Sequence, residues 1–295
     1  MYTPSQMLNA IRYPGRAGVE INRYFHSRVK TNEGARSIFD GEWDNLIVLD
    51  ACRYDAFAAH SSLPGTLERR RSLGSTTAEF IRENFEGRTL HDTVYVSANV
   101  WYLKLFEELD SELHKFVNLQ EKHHDEALGT VPPEAVTEEA HNAAEEYPNK
   151  RLIVHYLQPH QPYIGPIGRK LFEVSPGLRE TLHQSNVTDD TLRRAYQENL
   201  DLVLDSVANL LSSLDGRTVV TADHGEMLGE RGRPIPVRTY GHFGSLYHDE
   251  LVTVPWLVIE NDQRKEIVAE SPSDAEFDAD FDQVEQRLEE LGYKL

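Results

Sequence analysis

An aspartate and a histidine, Asp223-His224, followed by Gly225, end the apolar run Thr218-Val219-Val220-Thr221-Ala222. A β-branched run of this kind reads as a buried strand, and open α/β sheets gather their chemistry at the carboxyl ends of such strands. A carboxylate beside an imidazole on rigid backbone can hold a divalent cation. The plainer alternative is an Asp that caps the next helix, with His224 a bystander. A second site of the same kind decides between them. Trp43-Asp44-Asn45-Leu46-Ile47-Val48-Leu49-Asp50 is another apolar strand ending in a carboxylate, followed by Ala51-Cys52-Arg53-Tyr54-Asp55. Two strands that each carry an Asp to one sheet edge point to a metal site more than to two separate caps. For Asp50 the competing role is N-cap of a helix beginning near Tyr54. For Arg53 and Asp55 a structural ion pair beneath the site is preferred, the other role for Arg53 being to orient a substrate oxyanion.

Hydroxyl groups are supplied by Ser72-Leu73-Gly74-Ser75-Thr76-Thr77-Ala78-Glu79-Phe80, which leads into a helix expected from Ala78 to Phe85. A hydroxyl at a helix N-terminus gains from the free amides and the dipole, which also favour an anionic substrate. N-capping by Thr77 is the structural alternative. Leu152-Ile153-Val154-His155-Tyr156-Leu157 reads as a third strand, with the loop Gln158-Pro159-His160-Gln161-Pro162-Tyr163 leaving its carboxyl end. The prolines flanking His160 stiffen that loop, and His155 is read as a core or supporting histidine. His242 lies in the glycine-rich turn Tyr240-Gly241-His242-Phe243-Gly244, and His248 is read as a surface residue.

Four of these motifs, in order, resemble the sulfatase branch of the alkaline phosphatase superfamily: Leu49 to Asp55, Gln158 to Tyr163, Thr221 to Glu226, and Gly241-His242 with Leu246 to Pro255. The resemblance runs from about Asp44 to Ile259, with a weaker echo at Arg287 to Tyr293. It implies an α/β three-layer sandwich and attack on a phosphate or sulfate ester by a metal-activated nucleophile, through a covalent enzyme intermediate. Asp50, Asp223 and His224 match metal-binding positions of that family. Phosphotransfer members use a Thr or Ser where Ser75-Thr76-Thr77 stands here. Thr77, which would also touch the metal, is the first choice, Thr76 the second and Ser75 the third. Sulfatases proper carry a Cys-x-Pro-x-Arg segment whose Cys becomes formylglycine. Cys52, the only cysteine, has no such context and reads as a small buried residue. The resemblance assigns His160 to the substrate anion or leaving group, and His242 to substrate or to a second metal. Two-metal relatives also carry an Asp-x-x-x-His pair after the middle strand. Position 164 is Ile, so one divalent ion (zinc, manganese, magnesium or calcium) is expected.

The elements that must position these residues are strands near 45–50, 93–97, 151–157, 217–222 and 254–259. They predict a mostly parallel central sheet with helices on both faces. Residues 192–214 carry the stripe Leu200, Val203, Leu204, Val207, Leu210 and Leu211 of a sheet-covering helix. Residues 101–148 read as a helical insertion broken at Gly129 to Pro133, with His114, His123, His124 and His141 on a solvated face. The chain thus divides into a basic arm at 1–38, a catalytic domain at 39–260, and an acidic tail at 261–295. That tail starts with a loop from Glu270 to Asp282 and ends in a helix from Gln283 to Leu291.

With 295 residues the chain is long enough for a large core. Its net charge of −19, carried with 22 Arg, 8 Lys and one Cys, resembles proteins of salt-loving archaea. No basic stripe suits nucleic acid, and no apolar run approaches the ~20 residues that span a bilayer. A cytoplasmic protein is expected. Residues 1–30 invert the charge, with Arg12, Arg16, Arg23, Arg28 and Lys30 against Glu20 alone, interleaved with apolar side chains. This arm suits the inner face of an anionic membrane, or else packs on the domain's acidic face. Three functions follow. The leading one is metal-dependent hydrolysis of a phosphate ester, or less readily a sulfate ester, through a covalent Thr intermediate. The next is transfer of a phospho-group between lipid-linked or surface-glycan substrates, and the last is a non-catalytic binding relic of the fold.

Overall fold

In the computed structural model, residues 14–29, 32–171, 187–261 and 263–272 are described. Among the described residues there are nine strands: β1 (Asn45–Leu49), β2 (Thr66–Arg71), β3 (Thr89–Ser97), β4 (Glu112–Asn118), β5 (Arg151–Tyr156), β6 (Thr218–Ala222), β7 (Met227–Arg231), β8 (Arg238–Gly241) and β9 (Thr253–Ile259). Seven of them make one sheet in the order β2-β9-β6-β1-β5-β3-β4, while β7 and β8 form a hairpin of their own. β1 pairs in parallel with β5 and β6, and β3 with β4 and β5. Only β9 runs against its sheet neighbours, β2 and β6.

The helices are α1 (Pro14–Arg28), α2 (Tyr54–His60), α3 (Thr77–Phe85), α4 (Trp101–Leu109), α5 (Leu119–His123), α6 (Pro133–Glu146), α7 (Pro166–Leu171), α8 (Asp189–Leu211) and α9 (Asp249–Val252). They cover both faces of the sheet. Alternate residues of β1 separate the two cores: Leu46 and Val48 pack with Phe80, Ile81 and Phe85, and Ile47 and Leu49 with Val203, Val207 and Leu210. A strand covered on both sides must be apolar throughout, which is why β1 and β6 stand out in the sequence. The expected α/β three-layer sandwich is the observed fold.

Several elements differ from expectation. Residues 112–118, expected to be helical, form β4, the edge strand beside β3. Leu113 and Phe116 of this strand reach the core. His114, placed above on a solvated face, is buried and bonds Glu270 O through Nδ1 at 3.1 Å. α8 begins at Asp189, ahead of Leu192, because the Thr188 side chain accepts from Thr191 N. His248, read as a surface residue, is buried with its ring 4.7 Å from that of His26. The tail helix at 283–291 and residues 1–13 of the arm lie outside the described residues. Within the arm, Pro14–Arg28 form α1, anchored on the β7–β8 hairpin. Asn22 Nδ2 donates to Ile235 O at 2.9 Å, and Ile235 N to Asn22 Oδ1 at 2.7 Å.

Candidate active site

Strand register brings the two carboxylates together. Leu49 lies opposite Tyr156 on one side and Ala222 on the other, so Asp50 and Asp223 leave adjacent strands at the same edge. Ala51 follows with φ 59°, in the left-handed region that a side chain rarely adopts. This turn aims Ala51 N at Asp223 Oδ1, 3.0 Å away, and the same oxygen accepts from His224 N at 2.8 Å. Tyr196 holds the turn by donating its hydroxyl to Ala51 O at 2.8 Å and accepting from Arg53 N at 2.9 Å. Asn99, just beyond β3, donates Nδ2 to Asp50 Oδ2 at 2.8 Å.

Each carboxylate therefore has one oxygen fixed by donors. The other two, Asp50 Oδ1 and Asp223 Oδ2, are buried with no hydrogen-bond partner among the described residues. Unpartnered buried carboxylate oxygens are costly and call for a cation. His224 completes the set. Its Nδ1 donates to Gly225 O at 2.7 Å, which leaves the Nε2 lone pair exposed to the centre. Nε2 stands 3.3 Å from Asp223 Oδ2 and 3.7 Å from Asp50 Oδ1. Donors about 2.1 Å from one ion in a tetrahedron are about 3.4 Å apart, so the three atoms fit a single cation. Burial, and then the charge of Asp223, push the Asp50 carboxyl well above its usual range. Burial also raises Asp223, but the histidines, the Thr77 hydroxyl and the Ala51 amide outweigh it and hold that carboxyl low.

The helix start gives the three hydroxyls different surroundings. Thr76, not Thr77, is the N-cap of α3, its side chain accepting from Glu79 N. Thr77 is thereby the first helical residue, and its Oγ1 is 3.2 Å from His224 Nε2. Ser75 is tied down elsewhere, with Oγ bonded to Glu79 Oε2 and Phe243 O, both at 2.9 Å. The close fold of this loop onto the helix explains Gly74, where a Cβ would stand 2.4 Å from Phe80 N.

A second cluster lies beside the first. His160, Glu226 and His242 offer ligand atoms all within 4.8 Å of one another. His242 Nδ1 is 3.3 Å from Glu226 Oε1, and its ring is 4.4 Å from that of His224 and 5.2 Å from that of His160. Burial pushes the Glu226 carboxyl up to about 7 and both imidazoles down to about 4. Glu226 was quoted above only as the end of the Asp-His-Gly-Glu motif and given no role. Of the two other members, the resemblance assigns His160 to substrate and His242 to substrate or to a second metal.

The remaining expected residues divide as follows. His155 lies under the site, its Nδ1 2.8 Å from Tyr95 Oη and its Nε2 4.0 Å from Asp223 Oδ2, and burial lowers it to about 4, so it is neutral. Cys52 is a core residue whose thiol burial pushes up. Arg53 makes the structural ion pair with Asp55 that is preferred above, and not the alternative substrate contact. Its Nε and Nη2 bond Asp55 at 2.9 and 2.7 Å, and its Nη1 bonds Glu230 Oε1 at 2.6 Å and Glu226 O at 3.1 Å. Every guanidinium nitrogen is committed away from the two carboxylates. Asp50 is no helix cap, since Arg53 occupies the N-cap position of α2.

The neutral imidazoles carry a pH prediction for the metal-free protein. His155, His160 and His242 sit near 4 in the folded chain against an ordinary 6.5. Between those values the unfolded chain binds protons that the folded chain refuses. The stability they confer is complete above pH 6.5 and is lost as pH falls towards 4. Glu226, raised to about 7, contributes with the opposite sign over the same range, so the imidazoles are read directly: NMR titration should find these three neutral at pH 5, and midpoints near 6.5 contradict neutral, buried imidazoles.

No known family profile matches the chain, and no curated protein sequence matches it. Solved structures do. The C-terminal periplasmic domain of EcEptC from Escherichia coli, solved in complex with Zn, is 15% identical. It matches 74% of this chain and 72% of its own with a TM-score of 0.51. The corresponding domain of phosphoethanolamine transferase EptC from Campylobacter jejuni is also 15% identical, over 74% of this chain and 78% of its own, with a TM-score of 0.50. A protein in the alkaline phosphatase superfamily from Vibrio parahaemolyticus is 13% identical over 88% of this chain and 71% of its own, with a TM-score of 0.38. The chain has the α/β fold of the EptC periplasmic domains; identities this low establish the fold and nothing finer.

Proposed function

We propose that this chain is a metal-dependent enzyme that cleaves a phosphate ester through a covalent phospho-Thr77 intermediate. One observation carries the reading: the Thr77 hydroxyl points at His224 Nε2, 3.2 Å away, beside two buried carboxylate oxygens that have no hydrogen-bond partner among the described residues. A divalent cation held by Asp50, Asp223, His224 and the Thr77 oxygen would neutralise the phosphoryl charge and acidify the hydroxyl. Imidazole in the donor set favours zinc over magnesium or calcium, and the E. coli fold relative was solved with Zn.

The chain's own groups account for the rest. Thr77 Oγ bonds to phosphorus as the bond to the departing alcohol oxygen breaks, and the alcohol leaves with a proton. Water, or a second alcohol, then bonds to phosphorus as the Thr77 Oγ bond breaks, and the hydroxyl regains its proton. The dipole of α3 supports the anion at Thr77. Neutral His160 spends its one N–H, on Nδ1, on Gln161 O, so its Nε2 can accept a hydrogen bond from the water or alcohol that enters on the side of Glu226 and His242. A phosphate ester is preferred to a sulfate ester because Cys52 is sealed in the core, so no formylglycine can form there.

Transfer to an alcohol in place of water is the second reading, favoured because one of the fold relatives is itself a phosphoethanolamine transferase. The His160–Glu226–His242 cluster raises a further question of metal count: metal analysis should give one ion per chain if it faces substrate and two if it binds a cation. The central test is adduct trapping. An aryl phosphate, quenched in acid during turnover, should leave one phosphoryl mass on the peptide containing Thr77. Label on Cys52, or turnover with no threonine adduct in single-turnover quench, would refute the assignment.

A further inference from the structure

The outer face of α1 is apolar where a soluble surface would be polar. Ile21 is 51% exposed, Tyr24 63%, Phe25 37% and Val29 66%, and these are four of the six exposed large hydrophobic residues found among the described residues. Their spacing of three, four and eight residues from Ile21 puts them on one helical stripe. The opposite face is anchored through Val19, Asn22 and His26, all buried. Ile235, 36% exposed, extends the stripe from the hairpin, since a Cβ at Gly18 would stand 3.2 Å from its Cγ2.

The charge around this stripe opposes that of the whole protein. The turn joining β7 to β8 reads Arg231-Gly-Arg233-Pro-Ile235-Pro-Val-Arg238, and α1 adds Arg16, Arg23 and Arg28. These two segments hold six arginines against Glu20 alone, in a chain whose net charge is −19. Arg23 is paired with Glu20 and Arg238 with Asp189; the other four, Arg16, Arg28, Arg231 and Arg233, are exposed on the rim. Among the described residues no helix is long and apolar enough to cross a membrane.

We infer that α1 and the β7–β8 turn form a docking face for an anionic lipid surface, with the apolar stripe entering the interface and the arginines meeting the headgroups. Charge complementarity favours lipid over a second copy of the chain, which would bring two basic rims together. The face is also bolted to the site. Arg23 Nε donates to Gly244 O at 2.9 Å and Tyr247 N to His26 Nδ1 at 3.0 Å, in the segment that carries His242. Docking would hold the catalytic edge near the bilayer, suited to an ester whose headgroup lies in the interface. That consequence rests on the proposed chemistry; the docking does not.

Flotation of the full chain with vesicles tests it, with no substrate present. Binding is expected to phosphatidylcholine vesicles doped with phosphatidylglycerol, and not to phosphatidylcholine alone. Arg28→Glu with Arg233→Glu should lower partitioning by more than tenfold, since each arginine near an anionic surface is worth about fivefold. Tyr24→Asp with Val29→Asp, at the two most exposed apolar positions, should abolish binding while leaving the circular dichroism and turnover of a soluble ester unchanged. Failure to bind, equal binding to both vesicles, or binding indifferent to both variant pairs overturns the inference. So does self-association that Tyr24→Asp with Val29→Asp dissolves.

Discussion

Thr77→Val is expected to lower turnover by on the order of 10⁴-fold or more and to abolish the phosphoryl adduct. Valine keeps the shape of threonine at a fully buried position, so α3 and its packing persist while the attacking oxygen is lost. The control is its neighbour. Thr76 caps α3 by accepting from Glu79 N, so Thr76→Ala should cost about 1 kcal/mol of stability and leave the chemical step nearly intact. The two adjacent threonines thus predict opposite phenotypes, one catalytic and one thermodynamic. Single-turnover kinetics and a denaturant titration on both variants separate them. Full activity in Thr77→Val, or a reversed pattern, would remove Thr77 from the reaction and with it the covalent route.

That separation of roles was only half visible in the sequence. The run Ser75-Thr76-Thr77 announces a hydroxyl at a helix start, but the choice between cap and nucleophile depends on one residue of helix register. The fold was legible where burial acts on both faces of an element: β1 and β6 must be apolar throughout, and they sit at the centre of the sheet. It was illegible at the edges. β2, Thr-Leu-Glu-Arg-Arg-Arg, is a strand because it pairs with β9, and most of its side chains reach solvent. β4 lies against one neighbour and mixes Leu113 and Phe116 with His114 and Lys115, so its pattern does not exclude a helix.

The site divides in the same way. Asp50, Asp223 and His224 are marked by the strands they terminate. Asn99 and Glu226 are given their roles by contacts that no local pattern records. Asn99 matters only because β3 runs two strands from β1 and releases its chain towards Asp50. Glu226 acquires His242 as partner because the β7–β8 hairpin folds residue 242 back onto the sheet edge. Its place directly after Asp-His-Gly was the available signal, and an acid so close to a metal pair merited a role.

The empty charge at the centre yields the other large effect. Asp50 Oδ1 and Asp223 Oδ2 face the same buried point, and without a cation the Asp50 carboxylate, pushed well above its usual range by burial and then by Asp223, is destabilising as an anion. Zinc at about a hundred times its dissociation constant should therefore add about 2.7 kcal/mol, a rise in melting temperature of roughly 4 °C for a chain of 295 residues. Asp223→Asn should abolish that response along with the adduct. It should do so without weakening the metal-free protein. The amide oxygen can still accept from Ala51 N and His224 N, as Oδ1 does now. The amide nitrogen then takes the place of Oδ2, 3.3 Å from His224 Nε2, and can donate to that lone pair. The charge that helps to raise Asp50 is removed with it. A metal site makes this specific demand: the substitution that destroys function leaves the empty protein as stable as before, or more so. If these carboxylates instead served a structural ion pair, Asp223→Asn would lower the melting temperature of the metal-free chain and zinc would raise neither form. Melting curves of the two proteins, with and without zinc, decide between a catalytic cation site and a buried structural network.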